Sequence, residues 1–152
     1  MRLSQGFVRG EALSCIYHGW QYGSDGGCVA IPAHPDLVPP KSICATTYQC
    51  AEVDGLIWAT LADTDDPVPA LKNTNPVRSI YIDAPINTVC AYFGSQNATL
   101  IEVDGPFPLT IAVHPAKGGC TALHALTAQE QDRKDLSHWL ETQRAAIEGV
   151  AA

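Results

Sequence analysis

The chain has 152 residues, 46% of them hydrophobic, with 9 basic against 16 acidic side chains and a formal charge of −7. That length allows one ordinary domain or two small ones around a buried core, and the acidic balance argues against a nucleic-acid surface while suiting a basic protein partner. No apolar run approaches the roughly 18 residues of a membrane-spanning helix, and the opening MRLSQGFVRGEALSC lacks the apolar core of a secretory signal, so a cytoplasmic location without a membrane partner is expected.

The first part is read as short strands between Gly, Pro and Asp punctuation: ALSCIY, GWQY, CVAIP, SICATTY and GLIWATLAD. Asp25-Gly26 and Asp54-Gly55 are expected at turns, because glycine supplies the positive φ of a tight hairpin. The polar, proline-bearing stretch DTDDPVPALKNTNPV spans 63–77, and within it 67–76 is taken as a linker between a part covering 1–66 and a part covering 77–152. After it, RSIYI reads as a strand. DAPINTVCAYFG reads as a short helix with Asp83 near the N-cap, Pro85 in the first turn and Gly94 at its end. TLIEV, LTIAVHP and CTALHAL read as strands, with turns at Asp104-Gly105-Pro106 and Lys117-Gly118-Gly119. The closing 25 residues carry Leu136, Trp139, Leu140, Gln143 and Ile147 at spacings of three and four, the pattern of an amphipathic helix. Asp132 and Asp135 suit the positive end of its dipole. The fold class expected is a mostly β N-terminal part followed by a small α+β part with a C-terminal amphipathic helix.

The six cysteines, Cys15, Cys28, Cys44, Cys50, Cys90 and Cys120, show no tight framework spacing, so they are read as buried hydrophobes or ligands rather than a disulfide scaffold. A Cys and a His three apart are by themselves a weak metal signal. Here Cys15 and His18 sit in SCIYHGWQYGSDGGCVAIPAHP, with a glycine directly after the histidine and aromatics on either side.

This stretch, with VDGLIWATLAD downstream, resembles the Rieske [2Fe–2S] domain of the ring-hydroxylating oxygenases and related demethylases over residues 1 to about 66. The resemblance implies a partial Rieske-like β-sandwich in which Cys15 binds one iron and His18 the other. One iron of such a centre takes two thiolates and the other two imidazoles, which raises its potential. Gly19 would let the backbone approach the cluster, while Tyr17 and Trp20 would shield it or simply pack in the core. His34 belongs to a surface loop, and Cys28 to a strand.

The family's first ligand pair, C-x-H, precedes the second by about sixteen residues. Only fourteen residues precede Cys15, so the chain is expected to be a truncated relative carrying half of the ligands. The resemblance further implies a ferredoxin or flavoprotein reductase as electron donor, a catalytic domain of helix-grip type with a mononuclear iron, and an aromatic or apolar substrate. Residues 77–152 resemble an abbreviated form of that domain in order and pattern. The histidines there, His114, His124 and His138, lack the two-His-one-carboxylate spacing, so no catalytic residue is assigned. Three alternatives stand beside this reading. The chain could be a ligand-binding or oxygenase-subunit interaction module that has lost the cluster, two copies could pool Cys15 and His18 in an inter-chain iron or zinc site, or the product could be decayed and without function.

Overall fold

The computed structural model describes residues 2–62, 64, 66–71, 74–96, 98–129 and 133–151. Contacts divide the chain into two compact units, one of Met1–Gln49 with Ala59–Asp63 and one of Cys50–Trp58 with Thr64–Ala152.

In the first unit β1 (Phe7–Arg9), β2 (Ala12–Ser14), β3 (Gln21–Tyr22) and β4 (Cys28–Ala30) form an antiparallel sheet in that order. The strands are two or three residues long, so the loops carry much of the geometry. At the β3–β4 turn, Gly26 has φ +80°, and a Cβ there would lie 2.7 Å from the Ala45 carbonyl oxygen and 2.8 Å from Thr47 Cγ2. Only glycine fits both the conformation and the space. SICATTY does not form the expected strand: it contributes a single bridge, Cys44 opposite Gly27. Its backbone exchanges bonds with this turn, Cys28 N–H to Ile43 O at 2.9 Å and Ala45 N–H to Gly26 O at 2.8 Å. The pairing goes no further than this bridge at the left-handed Gly26. Little of this unit is buried, with Ser14 and Ile31 its interior side chains among the described residues.

The second unit begins with the hairpin of β5 (Cys50–Val53) and β6 (Leu56–Ala59), all but the last residue of which belongs to it. Its turn is Asp54-Gly55, with both φ positive at 49° and 76°, as the Asp-Gly pair predicts. The main sheet runs β7 (Asn75–Ile82), β10 (Thr121–Thr127), β9 (Leu109–Pro115), β8 (Leu100–Val103), all antiparallel. Helix α1 (Ile86–Tyr92) and helix α2 (Arg133–Ala151) complete it. Ile80, Ile82, Ile111, Leu123 and Ala125 pack with Val89, Cys90, Leu136, Leu140 and Ile147 in one core. The periodicity of α2 therefore names its buried stripe correctly, and Asp135 lies in its first turn, whereas Asp132 is outside the described residues.

Asp83 does not cap α1. Pro85 occupies the N-cap, and its carbonyl accepts from Thr88 and Val89 N–H at 3.0 and 3.2 Å. Asp83 lies two residues too early to reach those amides. Its own N–H donates to Glu148 Oε1 at 3.0 Å, and its carboxylate accepts the Cys120 thiol at 3.5 Å. Gly94 ends the helix at φ +73°, as expected. No described helix is long and apolar enough to cross a membrane.

Candidate metal centre

Strand β2 stops at Ser14 because the next six residues close on themselves. Cys15 N–H donates to Trp20 O at 2.8 Å and Gly19 N–H donates to Cys15 O at 2.9 Å. The chain reverses between β2 and β3 with both ends of the loop fixed. Gly19 makes this possible at φ +70°, where a Cβ would also come within 3.2 Å of Pro32 Cγ. That φ is unfavourable for any side chain but glycine's hydrogen.

The loop displays its donors unequally. Cys15 is half-buried, whereas His18 is exposed. Tyr17 is 64% exposed and its ring lies 3.8 Å from that of His18, tilted by 52°. Tyr17 therefore covers one side of the imidazole rather than packing in a core. Trp20 and Gly19 are partly buried at the loop's closing end. Two residues not assigned to the site from the sequence lie beside it. The Tyr22 phenol is raised above its ordinary pKa, first by burial and then by the neighbouring Cys28 and Cys15 thiols. Cys28 donates its S–H to Ala30 O at 3.7 Å, a bond that keeps it in its strand. The β2–β3 pairing of Leu13 with Tyr22 is what brings the phenol to the loop, and no residue spacing announces it. His34 is exposed after β4, where its N–H closes a turn on Ile31 O.

Residues 1–50 match the Rieske [2Fe-2S] domain. This segment belongs to the Rieske family. The oxidoreductase NdmD of Pseudomonas putida is 35% identical over 114 residues, 69% of this chain and 19% of that protein. The methylxanthine N1-demethylase NdmA of the same organism is 42% identical over 79 residues, 51% of this chain and 22% of that one. The chain thus spans about a fifth of each. Among solved structures, a P. putida CBB5 NdmA QL mutant with theobromine superposes with a TM-score of 0.73 over 97% of this chain and 65% of its own, at 19% identity. Apo dicamba monooxygenase gives 0.66 over 98% and 71%, at 14%. The mostly β fold with its C-terminal helix is therefore a Rieske-oxygenase-like fold.

A Rieske cluster needs two thiolates and two imidazoles. Cys15 and His18 fit one ligand for each iron: both lie on a loop with fixed ends, one thiol half-buried and one imidazole open to approach. Among the described residues no group of three or more His, Cys, Asp or Glu side chains converges. The whole cluster accordingly does not fit the described part of a single chain; half of its ligand set does.

Proposed function

We propose that the Rieske segment supplies the second ligand pair, Cys15 and His18, of an electron-transfer centre serving an oxygenase reaction on an aromatic or apolar substrate. The observation that carries this reading is the closed Cys15–Trp20 loop, which holds a thiol and an exposed imidazole three residues apart behind a left-handed glycine. A bound cluster would supply one-electron transfer at a raised potential. The chain's own residues fix the loop, present the ligands and, through Tyr17, shield the imidazole. Electrons would come from a ferredoxin or flavoprotein reductase, and the location would be cytoplasmic.

The remaining pair comes from outside the described residues of one chain. Pooling of two copies has a specific support: Ile16 and Tyr17 are 55% and 64% exposed beside exposed His18, leaving the ligand loop open to a second surface. The test is anaerobic reconstitution with ferrous iron and sulfide, with iron, zinc and acid-labile sulfide assayed alongside visible absorption. Wild-type chain should take up iron and sulfide in equal amounts, and Cys15→Ser and His18→Gln should each abolish uptake. Occupancy rising with protein concentration would assign the site to two copies. A wild-type chain holding no more iron than the Cys15→Ser variant overturns the reading and leaves the interaction module in its place.

A further inference from the structure

The second unit carries a pair of imidazoles that the Rieske reading does not use. On β9 and β10 the registers pair His114 with Ala122 and His124 with Ala112. The two histidines are therefore diagonal neighbours on one face of the sheet, opposite the face that bears Ile111, Val113 and Leu123. Their rings lie 5.4 Å apart between centroids and within 19° of parallel. The alanines between them add no bulk over that part of the sheet.

Each ring is anchored through the same nitrogen. His114 Nδ1 is 3.0 Å from Pro115 O. A carbonyl only accepts, so Nδ1 carries the proton and Nε2 keeps its lone pair. His124 Nδ1 is 2.7 Å from Ser79 Oγ, which sits directly opposite it on β7 and can accept that proton in the same way. Two imidazoles whose Nδ1–H groups are held by oxygen acceptors, with both Nε2 atoms left as donors of lone pairs, is the arrangement found around protein-bound transition metals.

We propose that His114 and His124 form an open two-imidazole site for a borderline divalent cation such as Zn²⁺. Imidazoles bound at about 2.0–2.1 Å with a tetrahedral angle between them place their centroids about 5 Å apart, close to the 5.4 Å observed. As they stand the rings are stacked, and the broad χ2 well of histidine lets each turn so that its Nε2 faces a shared point. His114 is exposed, which gives the cation an approach from water, and no third His, Cys, Asp or Glu joins the pair among the described residues. Water completes the coordination, so binding is exchangeable. The site is built without Cys15 or His18.

Zn²⁺ titration of the full chain, followed by long-range ¹⁵N–¹H correlation of the histidine rings, tests this directly. One equivalent should move the Nε2 resonances of His114 and His124 together, and a Cys15→Ser/His18→Gln double variant should keep that response. His114→Gln, at an exposed position that the fold tolerates, should weaken the response at least tenfold. Ser79→Ala should weaken it by about tenfold, the scale of losing an orienting partner. Unmoved His114 and His124 rings while zinc binds elsewhere, or a His114→Gln variant that binds as tightly as wild type, overturns the proposal.

Discussion

The two units hold together by different means. In the second, apolar side chains do the work: Ile82, Val89, Ile111, Leu123, Leu136, Leu140 and Ile147 are all fully buried. In the first, strands of two or three residues leave Phe7, Val8, Ile16, Tyr17 and Val29 more than half exposed, and the shape comes from backbone bonds and left-handed glycines. The difference teaches where each unit is vulnerable. A packed core fails when volume is removed, whereas a loop-built unit fails when a Cβ is added.

The largest effect should follow from Leu123→Ala. Truncating a fully buried leucine costs about 2–5 kcal/mol through lost burial and the residual cavity, and Leu123 is 0% exposed in the core. Val29→Ala, at a residue 54% exposed, should change stability by no more than about 0.5 kcal/mol. Urea unfolding of the two variants checks the contrast. Equal losses would mean that the first unit owes its stability to side-chain burial after all.

Adding a methyl group should reverse the ranking. Gly26→Ala forces a side chain into φ +80° and within 2.7 Å of the Ala45 carbonyl oxygen, for a cost of about 1–3 kcal/mol. The damage should be local. Amide exchange at Cys28 and Ala45, whose N–H groups bond across this turn, should accelerate while that of Leu123 does not. Gly105→Ala makes the control, because nothing lies within 4 Å of a Cβ there and its φ is not positive.

A buried hydroxyl in the second unit ranks beside this. Thr121 is fully buried and its Oγ1 donates to Ala84 O at 2.8 Å. Thr121→Val keeps the shape and leaves that carbonyl without its donor, a loss of about 1–3 kcal/mol. Urea unfolding would detect it, and an unchanged midpoint would mean the carbonyl finds water instead.

The same division governs how much could be read from the amino-acid order. Periodicity carried the second unit: the spacing of Leu136, Leu140 and Ile147 and the Asp54-Gly55 turn foretold what the structure shows. Asp83 misled because a carboxylate near a helix start suggests a cap, yet Pro85 took the position and Glu148, 65 residues on, took the amide. SICATTY has strand composition, yet it meets the sheet only at the Cys44–Gly27 bridge, beside the left-handed Gly26. The turn between Cys15 and Trp20 was legible because its glycine and aromatics lie in one stretch. Tyr22 beside Cys15, and Ser79 beside His124, were not, since each contact depends on strand register rather than on spacing.

The smallest expected effect is a pH dependence that separates His124 from the rest of its well-packed sheet. Burial first, and then the neighbouring His114, hold the His124 pKa below its ordinary 6.5. The folded protein therefore binds this proton less readily than the unfolded chain does. Above 6.5 both states are neutral and the residue contributes no slope. Between 6.5 and the lower folded-state value the unfolded state takes up the proton first, so stability falls as the pH falls; below the folded value the loss levels off. Urea midpoints in zinc-free buffer from pH 7.5 to 4.5 should show this decline in wild type and a shallower one in His124→Gln. Identical slopes would mean that carboxylates alone set the acid response, and that the imidazole is solvated despite its place on the sheet. Zn²⁺ held by His124 Nε2 would compete with the same proton, so saturating zinc should steepen the decline toward acid, where protonation releases the cation.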